Sequence, residues 1–327
     1  MKRTNTPVPP LLSIVIPMYN ESEGAKEFHN TLLLPAIKKY VKGTFEIIYV
    51  NDGSRDGTLE VLTEIARNSI HTKVIDLSRN FGKEIAVTAG ISLATGDATI
   101  IMDGDGQHPP ELMGEFIKKW KKGAQVVVGV RGKNEKEGFV KHFGSKLFYK
   151  LFNTTSGIEL IPGSTDYRLI DRVVRVEFLK FTERNRITRG LIDWLGFKRD
   201  YITFNSPARI AGEASYNTSQ LIKLAANSFV SLSLKPLFFF GWVGAFITCL
   251  SLLAGIFIFV EYFLLNDILR LGFSGPFILG IFMSFMVGLV LISQAILATY
   301  LSHVHTQAQD RPLFVINPTS SFGVHDQ

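Results

Sequence analysis

The chain has 327 residues, with 35 Lys and Arg against 29 Asp and Glu, a formal charge of +6 and a single cysteine. Its length exceeds one average domain, the lone Cys249 excludes a disulfide framework or a cysteine metal site, and a pI of about 9.2 points to anionic partners such as nucleic acid, anionic lipid or phosphorylated substrates. A mean hydropathy of +0.19 is high for a soluble enzyme, and the excess lies near the C-terminus.

Met1-Lys2-Arg3 followed by Leu11 to Met18 has the outline of a secretion signal. The apolar stretch is short, holds Pro17 and lacks a small-residue cleavage site, so it reads as a first strand. From there to about residue 130, short Ile- and Val-rich runs alternate with amphipathic stretches. Strands are predicted at Leu12–Ile16, Phe45–Val50, Val74–Leu77, Ala98–Met102 and Val126–Val130. Helices are predicted at Gly24–Tyr40, Thr58–Asn68, Lys83–Thr95 and Pro110–Lys122, the last opened by prolines that suit a helix start. This βαβα order implies an α/β fold with a doubly wound, mainly parallel sheet. Neither G-x-G-x-x-G nor G-x-x-x-x-G-K-[ST] occurs, so a dinucleotide-binding Rossmann fold and a P-loop NTPase lose their main support.

The pattern changes after Phe139. Phe139, Val140, Phe143, Leu147, Phe148, Leu151 and Phe152 share one helical face, interleaved with Lys141, Lys146 and Lys150. A basic helix with one large apolar side predicts an interfacial element near 139–152, and a second amphipathic stretch covers 216–235. Two apolar segments follow, about Leu237 to Leu265 and Pro276 to Leu301, each longer than the roughly 20 residues that span a bilayer. The short link between them lacks a basic excess, whereas Lys223, Lys235 and Arg311 flank the pair. The expectation is two transmembrane helices within 236–302, an external link, and both termini cytoplasmic at the inner membrane. Residues 303–327 are expected to form a cytoplasmic tail, and the part after Arg311 reads as poorly ordered.

Two acidic clusters end predicted strands, Asn51-Asp52-Gly53-Ser54 and Asp103-Gly104-Asp105. Ligands of open α/β sheets bind beyond the carboxyl ends of strands. Carboxylates one residue apart on a turn suit a hard divalent cation that also holds a diphosphate. Gln107 and His108 follow closely enough to add a ligand or a hydrogen bond. Asp52 reads two ways, as an acceptor for a pyrimidine N–H or as a turn-stabilising aspartate.

Ile16-Pro17-Met18-Tyr19-Asn20-Glu21, Val50 to Thr58, Leu77-Ser78-Arg79-Asn80-Phe81-Gly82-Lys83 and Met102 to Leu112 together resemble the inverting glycosyltransferases of family 2. More narrowly, the chain resembles the polyprenyl-phosphate glycosyltransferases, a group that includes dolichyl-phosphate mannose synthases and bactoprenol glucosyltransferases. Ser164 to Leu169 and Arg209-Ile210-Ala211-Gly212-Glu213 extend the resemblance to about Leu301. It implies a GT-A domain over residues 1–215. It implies a nucleotide pocket with Asp52 reading the base and Pro17, Tyr19, Glu21 and Lys83 beside it. Asp103, Asp105 and Gln107 would hold Mg²⁺ or Mn²⁺ and the diphosphate, and the catalytic residues would be Asp105 and Asp166, the latter matching the aspartate proposed as catalytic. Arg131, Lys141, Ser145 and Arg209 would take the acceptor phosphate.

The chain departs from the pattern at Asn51, where many members have a second acid. It departs again at Gly104 and Gly106, usually Ala and Leu, and at Ala214-Ser215, usually Ser-Lys. The implied reaction is a single in-line transfer from a nucleotide sugar, with UDP-glucose as first expectation and GDP-mannose, a UDP-N-acetylhexosamine or a modified pentose as alternatives. The acceptor is expected to be undecaprenyl phosphate, with a homo-oligomer as an open possibility. A processive synthase is disfavoured by the missing Q-x-x-R-W, a catalytically silent lipid-carrier binder by the retained aspartates, and a nucleic-acid partner by the absence of any nucleic-acid motif.

Overall fold

The structure is a computed structural model that describes residues 12–132, 163–184, 186–207 and 275–323, with the isolated positions 253, 256 and 260. β1 (Leu12–Met18), β2 (Phe45–Asn51), β3 (Thr72–Asp76), β4 (Ala98–Ile101), β5 (Val126–Arg131), β6 (Ser164–Asp171) and β7 (Arg199–Phe204) share one sheet in the order β3-β2-β1-β4-β6-β5-β7. β1 pairs in parallel with both β2 and β4, placing Leu12 opposite Phe45 on one side and Ala98 on the other.

The near-continuous apolar runs follow from burial on both faces. Along β1, Leu12, Ile14, Ile16 and Met18 enter one core cluster, whereas Val15 enters another. The first cluster is closed by α1 (Ala25–Glu27), which continues through a π-helical turn at Phe28–Leu33 into α2 (Leu34–Tyr40), and by α3 (Thr58–Arg67) and α5 (Met113–Lys121). On the opposite face lie α4 (Lys83–Leu93), α6 (Arg172–Phe178) and α7 (Thr188–Trp194). The strands and helices predicted up to residue 130 therefore stand, with ends shifted by a few residues.

The sheet is mainly parallel, as expected, and its antiparallel member is β6, which inserts between β4 and β5 and runs antiparallel to both. Two expectations change. The C-terminal segment is ordered. Val74 pairs antiparallel with Phe322 and Leu77 with Ile316, so the tail covers the β3 edge of the sheet. Also, among the described residues no helix is long and apolar enough to cross a membrane, which corrects the expected inner-membrane location. The second apolar segment forms part of α8 (Gly275–Ala308), a helix that runs past Leu301 through Ser302, His305, Thr306 and Gln307, beyond the point where the apolar pattern stops. The first apolar segment, the 139–152 helix and the 216–235 stretch lie outside the described residues, apart from the isolated positions in the first.

The chain divides into two compact units. One comprises Met1–Asn217 with Arg311–Gln327, and the other Thr218–Asp310. The tail thus belongs with the sheet, to which the chain returns after the second unit.

Candidate active site

The chain builds β1, β2 and β3 toward one edge, then crosses to place β4 on the other side of β1. The crevice beyond the carboxyl ends of β1 and β4 is the switch point where α/β sheets bind ligands. A cleft of about 350 Å³ opens there. Pro17, Tyr19 and Glu21 line it after β1, Asp52 after β2, Lys83 at the start of α4, and Asp103 and Asp105 after β4. Every residue expected beside the donor thus faces one cavity.

Asp52 is nearly inaccessible, at 3% exposure. Its Oδ1 accepts the Phe81 N–H at 2.7 Å and its Oδ2 the Gly82 N–H at 2.9 Å. Burial raises its pKa, against the pull of those two amides and of Arg79. The carboxylate thus ties the turn after β2 to the loop before α4, and both of these bonds leave its own turn. Gly53 permits that approach. It sits at φ +62, and a Cβ there would lie 2.3 Å from the Arg79 carbonyl carbon and 2.4 Å from the Asn80 nitrogen.

Lys83 is the electrostatic centre. Its Nζ lies 2.7 Å from Asp103 Oδ1 and 3.1 Å from Asp166 Oδ2, which brings an aspartate of β6 to the acidic turn after β4. Burial would lower the Lys83 pKa, but the two carboxylates outweigh it and hold the ammonium charged. Burial likewise would raise Asp166, and Lys83, Arg189 and Arg168 together hold it well below the usual carboxylate range. Asp166 does not pair with Arg168. That guanidinium, 1% exposed, faces Asp193 at 3.5 Å and donates to the Thr165 and Arg189 carbonyls.

His108 is structural. It is buried, stacked on Tyr167 with centroids 5.0 Å apart, and its Nδ1 accepts the Asp103 N–H at 2.9 Å. Burial lowers its pKa, so the ring is neutral near pH 7. Asp105 Oδ1 accepts the Gln107 N–H at 3.0 Å. Arg131, at the end of β5, reaches Gln107 Oε1 at 3.5 Å. Gly104 stands directly over β1, where a Cβ would meet Met18 Sδ at 2.4 Å and Cε at 2.6 Å. The departure from alanine at this position thus accommodates Met18. Lys141, Ser145 and Arg209 lie outside the described residues.

Residues 13–179 match the description "Glycosyl transferase family 2". The chain belongs to glycosyl transferase family 2. An uncharacterized glycosyltransferase of Synechocystis sp. is 36% identical over 94% of this chain and 94% of its own length. Uncharacterized glycosyltransferase YkcC of Bacillus subtilis is 34% identical over 96% and 95%. The SfII prophage-derived bactoprenol glucosyl transferase of Shigella flexneri is 31% identical over 93% and 97%. Among solved structures, glucosyl-3-phosphoglycerate synthase from Mycobacterium tuberculosis in complex with uridine-diphosphate shares 17% identity over 68% of this chain and 79% of that one, with a TM-score of 0.47.

Within this family 2 transferase the GT-A-like sheet also recruits residues that the motifs did not single out. Glu84 follows Lys83 at the first turn of α4, and its Oε2 accepts the Thr188 N–H at 2.7 Å. Burial and the Asp166 charge raise its pKa. A lone acid opening an otherwise apolar helix was the available sign. Arg189 comes from α7, far along the chain, and no local pattern marks it. Among the described residues no group of three or more His, Cys, Asp or Glu side chains gathers as a metal cluster. Asp103 and Asp105 therefore offer two carboxylates, with Gln107 beside them. That oxygen-only set suits a cation that completes its shell with phosphate oxygens and water.

Proposed function

We propose that this glycosyltransferase moves glucose from UDP-glucose to a polyprenyl phosphate, undecaprenyl phosphate first, with inversion at the anomeric carbon. The observation that carries the reading is the single cleft that gathers Asp52, Lys83, Asp103 and Asp105 at the switch point of a family 2 domain. Support for the acceptor comes from similarity, over 93% of this chain and at 30–31% identity, to bactoprenol glucosyl transferases of Shigella phages and to a prophage bactoprenol glucosyl transferase homolog of Escherichia coli.

In this reading Asp52 accepts the N–H of the base, while Pro17, Tyr19 and Glu21 flank the nucleoside. Mg²⁺ or Mn²⁺ would be held by Asp103 and Asp105 with Gln107, and when bound it offsets the charge that gathers on the departing diphosphate. Arg131, beside Gln107, orients the acceptor phosphate through a planar fork suited to its oxygens. A phosphate oxygen attacks C1 of the sugar as the C1–O bond to the diphosphate breaks on the opposite side. The acceptor is already ionised near neutral pH, with a second pKa of about 6, so no strong base is needed. Asp166, held ionised by three cationic neighbours, is a poor proton acceptor at that pH and acts by orienting sugar or acceptor.

The test incubates purified protein with undecaprenyl phosphate, Mg²⁺ and separate radiolabelled donors: UDP-glucose, GDP-mannose, UDP-N-acetylglucosamine and a UDP-pentose. Label is then counted in the organic phase. Transfer from UDP-glucose that is lost with chelator and in Asp105→Ala is expected. Transfer from another donor alone reassigns the sugar, and no transfer from any donor refutes the reading.

A further inference from the structure

The C-terminal segment is tied to the donor side of the cleft by two separate routes. The first runs through Asp76, at the end of edge strand β3 and 6% exposed. Ser320 Oγ donates to Asp76 Oδ2, and Asn51 Nδ2 donates to Asp76 Oδ1 at 2.7 Å. The Asp76 N–H donates to Ser321 Oγ at 3.0 Å, and its carbonyl accepts the Asn317 N–H at 2.8 Å. Asn51 immediately precedes Asp52. An aspartate at position 51 would set a second carboxylate against Asp76, whereas the amide of Asn51 donates to it. The departure from the two-acid pattern therefore fits Asp76, the same residue that the tail grips.

The second route runs through the loop before α4. The Ser78 N–H donates to the Val315 carbonyl at 2.9 Å, fixing the start of that loop. Phe314 and Ile316 pack on the core cluster that holds Val50, Leu77 and Ala86, where Phe81 also packs. Phe81 and Gly82 supply the two amides that clamp the Asp52 carboxylate. Both routes therefore converge on one side chain, from the turn before it and from the loop that holds it.

We propose that the segment 314–322 is a positioning element of the donor site, acting through Asp76 and the 78–82 loop to set the Asp52 clamp. Val315, Ser320 and Ser321 are positioning residues in this sense, since none of them lines the cleft. The inference rests on the proposed reading of Asp52 as the base acceptor only for its effect on nucleotide binding. Its effect on the clamp itself is independent of that reading.

The test compares the full chain with a variant ending at Arg311 and with Ser320→Ala/Ser321→Ala. Hydrogen exchange is followed at the Phe81 and Gly82 amides without nucleotide, and UDP affinity is measured by calorimetry, with Asp52→Ala as control. The truncated protein is expected to exchange these two amides at least about tenfold faster, because local opening sets protection, and to bind UDP about tenfold more weakly. A synthetic peptide of residues 312–323 restores both, which general destabilisation would not allow. If the truncated chain does not fold, the double serine variant decides by the same amides, with a smaller increase in exchange expected. Unchanged exchange at Phe81 and Gly82 in a folded tail variant overturns the proposal. Faster exchange with UDP affinity unaltered in both the tail variants and Asp52→Ala supports the tail's hold on the clamp and instead removes the base-reading role of Asp52.

Discussion

Lys83→Met removes the one ammonium that touches both Asp103 and Asp166, at 2.7 and 3.1 Å. A hydrogen bond to a charged group contributes about 1.5–3 kcal/mol, so two fully buried contacts would sum to about 3–6 kcal/mol. The Lys83 side chain is 38% exposed, and solvent screening reduces the expected loss to about 2–4 kcal/mol at pH 7. The pH dependence follows from Asp166. In the wild type its folded pKa is depressed, so the stability it contributes is present above its unfolded value, near 3.9, and is lost as pH falls toward the folded value. Without Lys83 the burial penalty loses its largest opponent and Asp166 rises. The variant's deficit should therefore be largest at neutral pH and shrink as pH falls through the carboxylate range, where protonation relieves the unpaired acid. Urea unfolding from pH 3.5 to 8 measures this directly. A deficit below about 0.5 kcal/mol at pH 7, the range of ordinary surface changes, would refute the central role of Lys83. A deficit of equal size at every pH would refute its electrostatic origin.

Asp166→Asn keeps the shape of the site and removes the charge, so kcat should fall by about 10²–10³ if the group acts on the transition state, with UDP affinity by calorimetry unchanged. Gly53→Ala forces the turn after β2 away from Arg79 and Asn80 and opens the Asp52 clamp, with a loss of about 3–5 kcal/mol in thermal or urea unfolding. Gly104→Ala meets the far end of Met18 and, at 3.2 Å, Ile16 Cγ2, so it should cost about 1–2 kcal/mol, and a double-mutant cycle with Met18→Ala should show coupling of about 1 kcal/mol. His108→Phe loses the acceptor for the Asp103 N–H at a cost of about 1–2 kcal/mol. Because burial holds His108 neutral, the shape of the activity profile between pH 6 and 8 should not change.

What was legible in the sequence was what is local. The turns after β2 and β4 carry their function within a few residues of an apolar run, so strand pattern and turn chemistry placed Asp52, Asp103 and Asp105 together before any coordinates. β6 was harder, because Ser164-Thr165-Asp166-Tyr167-Arg168 mixes polar and charged residues in a strand that is nevertheless buried. Its Arg168 reaches the Arg189 carbonyl and Asp193 of α7, partners that no window around position 168 contains. The tail was misread for a related reason. Pro312, Pro318 and a Thr-Ser-Ser run have the composition of a loop, and only the edge of β3 gives their hydrogen bonds a destination. Apolar length misled in the opposite direction, since a long hydrophobic run is read by composition and α8 continues beyond it.

The charges of the site form two layers with different jobs. In the inner layer Lys83, at the cleft wall, joins Arg168 and Arg189 against Asp166 and Glu84, and these cations hold Asp166 ionised while Glu84 is pushed the other way. The outer layer is the acidic turn itself, Asp103 and Asp105, facing the space where a diphosphate would lie. Two carboxylates repel such a ligand, and Lys83 is already shared between Asp103 and Asp166. An anionic donor therefore needs a further positive charge between itself and the turn. The oxygen-only set after β4 is suited to hold one. The same arithmetic explains why a basic pI and an acidic site coexist. The net charge describes the whole surface, whereas the site is defined by a few carboxylates that the fold brings to one end of the sheet.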